Sequence, residues 1–176
     1  VCSSDLGLLS DVFRDPERIK ALVGKSAIGH VRYATAGSHG VENIQPLMVN
    51  FHDMQLALAH NGNLTNAMSL REQLEEDGSI FQSSSDSEIL LHLIRRSKAT
   101  TFVDKLKESL NTVKGGFAYL LLTPEGLYAA LDPHAFRPFV VGQMPEGNYI
   151  VTSETAALDV IGARFVRDVQ PGELLI

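Results

Sequence analysis

The amino-acid sequence predicts an α+β domain in which two sheets are flanked by helices. Three observations lead there: strand-like apolar runs before residue 64, a central block with helical periodicity, and a return to strand-length runs from Gly116 onward. Strands grouped on either side of a helical block suit a layered α+β arrangement rather than a parallel sheet. At 176 residues the chain is long enough for one domain with a sizeable core. Its 44% hydrophobic and 20% charged residues are the balance of a globular protein. A net charge of −6 argues against a nucleic-acid or anionic-membrane partner. No apolar run reaches bilayer length, and the first residues lack the basic and apolar segments of a secretory leader. With a single cysteine, unable to form an internal disulfide, these features point to a cytoplasmic protein.

In chain order, Asp15-Pro16 is an N-cap followed by a first-turn proline, and Gly24 is a stop, so Pro16 to Val23 reads as a short helix. Lys25 to Ala36 begins as a strand, and Gly37 to Asn50 reads as loop. Met54 to His60 is the next strand; it ends at His60-Asn61-Gly62-Asn63, residue types suited to a sharp bend. Asn66 to Asp77 places Ala67, Leu70 and Leu74 on one helical face, and Gly78 ends it. Gln82 to Ser87 is a polar loop before the helix that starts at Asp86-Ser87-Glu88, and a further helix covers Phe102 to Val113. From Gly116, F-A-Y-L-L-L-T, a P-E-G turn and L-Y-A-A-L-D form a hairpin. Strands at Phe139–Gly142 and Asn148–Ser153, a short helix at Glu154–Ile161, and strand-like Arg164–Asp168 and Glu173–Ile176 complete the chain.

Three polar positions stand at element ends. Arg32 beside Tyr33 and Thr35 suits a bidentate grip on a carboxylate, or is a surface arginine on an edge strand. Asn61-Gly62 offers a carboxamide and a backbone N–H for a developing oxyanion, or is a hairpin turn. Asp86 suits an α-ammonium group, or caps the helix that follows it. Together they fit a small amino-acid substrate with a reactive side-chain carbonyl. The six histidines form no metal-ligand spacing, so no metal is expected; His60 and His30 are expected to orient the motif turns or sit satisfied in the core.

G-H-V-R-Y-A-T (Gly29–Thr35), H-N-G-N-L (His60–Leu64) and S-S-D-S-E (Ser84–Glu88) resemble the glutamine-hydrolysing domain of class II amidotransferases. E-N-I-Q-P-L (Glu42–Leu47), L-D-P-H-A-F-R-P (Leu131–Pro138), S-E-T-A-A-L-D (Ser153–Asp159) and V-Q-P-G-E-L-L-I (Val169–Ile176) resemble the amidophosphoribosyltransferase branch of that class. The resemblance implies an αββα sandwich of the N-terminal-nucleophile hydrolase type. It implies that glutamine is bound by Arg32 with Thr35, by Asp86, and by Tyr33 in closing the site, with Asn61 and Gly62 as the oxyanion hole. It further implies ammonia supply for 5-phosphoribosylamine formation from phosphoribosyl pyrophosphate, the first step of purine synthesis. The hexosamine and glutamate-synthase branches remain alternatives, as does a non-catalytic glutamine-binding module.

The chain also departs from that pattern. The family's nucleophile is an N-terminal cysteine in a C-G-V-F-G-like setting; Cys2, followed by Ser-Ser-Asp, does not fit it. The expectation is a fold incomplete at its N-terminus, with 1–6 a non-native head and 7–176 a partial amidotransferase domain. A phosphoribosyltransferase domain with its Mg²⁺, and a homo-oligomeric full enzyme, are expected outside this chain. Where some relatives carry an iron–sulfur cysteine the residue is Ala156, so no cluster is expected; Ala135 stands where glycine is usual.

Overall fold

The structure, a computed structural model, describes residues 5–32, 40–52 and 54–176. Two short helices, α1 (Leu9–Val12) and α2 (Pro16–Lys20), begin it; Asp15 caps α2 by accepting the Glu17 N–H. Helix α2 stops short of the expected Val23. Residues 25–32 form no strand, contrary to expectation, because no neighbouring strand among the described residues pairs with them.

The region expected to be loop carries a 3₁₀ turn at Val41–Asn43 and a strand, β1 (Leu47–Asn50), which pairs with β2 (Gln55–Leu64). Strand β1 is a half-exposed edge, so its alternation is too weak to read from four residues. Helices α3 (Ala67–Glu76), α4 (Ser87–Arg96) and α5 (Phe102–Thr112) follow, close to their expected bounds. Thr101 caps α5 by accepting the Asp104 N–H and donating to its carboxylate. Then come β3 (Gly115–Leu122), β4 (Leu127–Leu131), β5 (Val140–Gln143), β6 (Tyr149–Thr152), α6 (Thr155–Ile161), β7 (Arg164–Asp168) and β8 (Leu174–Leu175).

Among the described residues all pairings are antiparallel, in one sheet of order β1-β2-β3-β4-β8 and a second of order β6-β5-β7. Because side chains alternate along a strand, β3 serves two cores. Phe117, Tyr119 and Leu121 join Leu56, Leu58 and the buried residues of α3, α4 and α5. Ala118 and Leu120 face the other way, with Ala129, Leu131, Phe139 and Val141 between the sheets. Val140, Leu158 and Ala163 form a third cluster between the second sheet and α6. The layers are therefore helix, sheet, sheet, helix: the αββα sandwich.

Helix α4 is the most deeply seated helix, with Ile89, Leu90, Leu91 and Ile94 all buried. Its position fixes where its N-terminus, and hence Asp86, meets the first sheet. In the same sheet, just past the end of β4, buried Asp132 accepts the N–H groups of Phe117, His134 and Phe136. This folds the D-P-H-A-F-R-P turn and forces Ala135 to a φ of 52°, the left-handed region that disfavours a Cβ.

Ala135→Gly is therefore expected to stabilise the fold by about 1 kcal/mol, the relieved strain exceeding the added unfolded-chain entropy. Thermal unfolding should show this as a rise of a few degrees; an unchanged or lower midpoint would mean that the turn is unstrained.

Candidate functional site

The H-N-G-N-L stretch is not a turn. Strand β2 runs straight through it, in register with β3 from Ala57 opposite Leu122 to Leu64 opposite Gly115. An Asn-Gly pair reads as a bend only until a partner strand holds it extended. Gly62 is required by crowding: a Cβ there would lie 2.1 Å from the Gly116 carbonyl oxygen and 2.8 Å from Phe117 Cα.

Beyond Leu58, β2 keeps β3 on one side but loses β1 on the other. Backbone groups of alternate residues point to the same edge of an antiparallel strand, so His60, Gly62 and Leu64 all present N–H groups to this open side. Side chains take two of them. His60 N–H donates to Gln45 Oε1 (2.6 Å), and Leu64 N–H donates to Asp86 Oδ2 (2.8 Å). The Gly62 N–H between them has no partner among the described residues. Asn61, next to it, is exposed and sits opposite Ala118, on the face turned toward the second sheet.

Asp86 stands at the N-cap position of α4, yet its side chain caps nothing in the helix. Its carboxylate is turned to β2 instead, with Oδ1 3.5 Å from His60 Nδ1. Burial pushes this carboxyl up. The hydrogen bond and charge of His60 and the N–H groups of Leu64 and Ser87 outweigh that, so it rests below the usual carboxylate range. Glu88 clamps the preceding loop by accepting from Gln82 N–H (2.9 Å), Ser83 N–H (2.7 Å) and Ser83 Oγ (2.6 Å). Its carboxyl is also held low: the Ser83 hydroxyl, the Gln82 and Ser83 N–H groups and His92 outweigh the opposing effect of burial.

His60 lies on the helix-facing side of β2, stacked on Tyr119 at 4.3 Å, with Nδ1 3.0 Å from Ser87 Oγ. Its Nε2 and the Tyr119 hydroxyl are buried with no hydrogen-bond partner among the described residues. Burial, then the Asp86 charge, pushes the Tyr119 phenol well above its usual range, so it stays neutral. His60 therefore sits in a continuous strand rather than beside a turn, and it is not a fully satisfied core histidine. His30 is held below the usual histidine range by burial and then by the nearby His60 and Arg32.

Arg32 is exposed and donates through Nη1 to the Asn43 carbonyl (2.8 Å). Asn43 in turn bonds Ser84, two residues before Asp86. The arginine, the Asn61-Gly62 strand and the acid loop are therefore joined through residues 43–45. Tyr33, Thr35 and Cys2 lie outside the described residues. Among the described residues, no group of three or more His, Cys, Asp or Glu is placed to hold a metal, and no helix is long and apolar enough to cross a membrane. Asn43, Gln45, Ser87 and Glu88 also frame the site, and each lies inside a motif that carries the family resemblance. Their only signal in the sequence is position, as polar residues within those motifs.

A family profile described as a glutamine amidotransferase domain matches residues 30–160. The amidophosphoribosyltransferase of Staphylococcus aureus (strain MRSA252) is 55% identical over 171 residues, 97% of this chain and 35% of that protein. The amidophosphoribosyltransferase of Lacticaseibacillus casei is 61% identical over 137 residues, 78% of this chain and 71% of that protein. A solved structure described as the allosteric regulatory enzyme of purine biosynthesis superposes with a TM-score of 0.91 at 52% identity, covering 96% of this chain and 36% of its own. The glutamine phosphoribosylpyrophosphate amidotransferase from B. subtilis, complexed with ADP and GMP, gives 0.89 at 50% identity, with the same coverage. The chain thus spans little more than a third of the length of most of these relatives.

Asp86 and Glu88 both have depressed folded-state pKa values. Their stabilisation is fully present above the unfolded carboxylate range, near pH 4, and is lost as pH falls through the lower folded values. Urea midpoints should therefore decline below about pH 4, and less steeply in Glu88→Gln. An acid limb identical in Glu88→Gln and Asp86→Asn would remove these groups as its cause.

Proposed function

The chain belongs to the glutamine amidotransferase domain family, and from that membership we propose that Arg32, Asn61, Gly62 and Asp86 bind and polarise glutamine. The observation that carries this is the open Gly62 N–H, flanked on one strand edge by two N–H groups already taken by side chains. A donor fixed in position before reaction stabilises a developing oxyanion without reorganising at the moment of bond formation.

Arg32 holds the α-carboxylate, and Thr35 is assigned to the same contact. Asp86, kept ionised by its surroundings, holds the α-ammonium group. Tyr33 closes the site. A cysteine thiolate adds to the side-chain amide carbon, and the carbonyl π electrons move onto oxygen, where the Gly62 N–H and the Asn61 carboxamide meet them. Collapse of the tetrahedral adduct expels the amide nitrogen. That nitrogen takes the proton given up by the thiol and leaves as ammonia, with a thioester behind it. Water then releases glutamate and restores the thiol. The attacking cysteine is assigned to no residue of 7–176, so it comes from outside that stretch.

The relatives' names and their greater length support a wider role: ammonia supply to a phosphoribosyltransferase domain of the same chain, forming 5-phosphoribosylamine from phosphoribosyl pyrophosphate in purine synthesis. Mg²⁺ belongs with that domain, and residues 7–176 are assigned to the glutamine-hydrolysing part of a cytoplasmic, homo-oligomeric enzyme.

In the full-length enzyme, Asn61→Ala should lower glutamine turnover by roughly 10²-fold with a smaller effect on KM. Arg32→Ala should raise the glutamine KM by roughly tenfold or more, because its grip exists before reaction. Steady-state glutaminase assays separate the two. Wild-type turnover in Asn61→Ala would remove the oxyanion assignment, and an unchanged KM in Arg32→Ala would remove the carboxylate contact. Glutamine binding that persists in calorimetry with no ammonia release from the full enzyme would mark a non-catalytic module.

A further inference from the structure

The E-N-I-Q-P-L segment makes none of the proposed substrate contacts, yet it holds two buried polar residues. Asn43 is 1% exposed and Gln45 is 8% exposed. Buried polar groups at such positions are held by hydrogen bonds, and the destinations of these bonds are informative. Gln45 accepts the His60 N–H at 2.6 Å and donates from Nε2 to Ser87 Oγ at 3.3 Å. Asn43 accepts the Ser84 N–H through Oδ1 (3.1 Å), donates from Nδ2 to Ser84 Oγ (3.0 Å), and its carbonyl receives Arg32 Nη1 (2.8 Å).

From one three-residue stretch, bonds therefore reach the strand residue next to Asn61, the acid loop on both sides of Asp86, and Arg32. Gln45 has a further consequence. By taking the His60 N–H it ends the strand edge on one side of Gly62, as Asp86 ends it on the other. A single donor is left open between two fixed ones. We infer that Asn43 and Gln45 are positioning residues of the glutamine site, Gln45 aiming the oxyanion strand against the acid loop and Asn43 setting the distance between Arg32 and Asp86. This rests on the glutamine-site assignment and deepens it.

The two residues should fail differently. Gln45→Leu in the full-length enzyme removes both bonds of the bridging amide, so the donor is misaimed while Arg32 and Asp86 still hold the substrate. The expected result is a fall in glutamine-dependent kcat of about 10- to 10²-fold with KM within about threefold. Asn43→Ala loosens the binding ends, and the expected result is a KM higher by roughly tenfold with a smaller change in kcat. Synthesis driven by added ammonia bypasses the site and should stay within about twofold for both, a separation that general loss of structure would not give. If Gln45→Leu does not accumulate as folded enzyme, Gln45→Glu decides. It keeps an acceptor for the His60 N–H, replaces the amide N–H donated to Ser87 Oγ by a carboxylate oxygen, and should lower kcat in the same sense. Wild-type glutamine kcat in the Gln45 variants, or an equal loss of ammonia-driven synthesis, would overturn the inference. Asn61→Ala and Asp86→Asn run alongside. If they impair glutamine turnover while the Gln45 variants do not, only the positioning role falls. If they too are silent, the glutamine-site assignment falls with it.

Discussion

Backbone donors at a strand edge need partners, and the site follows from how this one edge of β2 finds them. Past Leu58 no strand among the described residues covers that side, so three N–H groups in alternation have to be met by something other than a ladder. Two side chains from different parts of the sequence, Gln45 and Asp86, reach in and take the outer pair. The arrangement does two things at once. It ties β2 to the segment before β1 and to the start of α4, and it leaves the middle donor directed outward. Structure and candidate chemistry here share one set of hydrogen bonds.

The layering explains why those side chains arrive where they do. Alternate residues of β2 face the helices, and Leu56 and Leu58 supply that apolar face before His60 interrupts it. Because α4 is seated by Ile89, Leu90, Leu91 and Ile94, its first turn has little freedom to shift relative to the sheet. The acidic loop is then drawn down on α4 by Glu88, which gathers the donors of residues 82 and 83. A charged carboxylate beside a buried imidazole is sustained because both of its oxygens are engaged.

Much of the fold was legible in the chain. The apolar spacing of Leu70 and Leu74, the glycine stop at Gly78 and the P-E-G turn all act locally, and local signals survive into the structure. What failed was what depends on a neighbour. Lys25 to Arg32 has strand-like residues, but a strand exists only when another pairs with it. Asn61-Gly62 has turn-like residues, but β3 keeps it extended. Asp86 has the sequence position of a cap, and long-range partners claimed its carboxylate. Of the proposed site, Arg32, Asn61-Gly62 and Asp86 stand out in the sequence as polar residues at element ends, and the motif resemblance adds their roles. The bridge through Asn43 and Gln45 was not, because burial of a polar side chain leaves no mark in a single sequence.

The crowding around Gly62 bears on how such a site can change over generations. A hydrogen is all that fits between that α-carbon and the backbone of Gly116 and Phe117. The residue carrying the open donor therefore cannot be tuned by substitution, and chemical novelty has to enter through adjacent positions and loops. A change in what this edge accepts has to come from its surroundings, because the α-carbon of the donor residue has no room for a side chain.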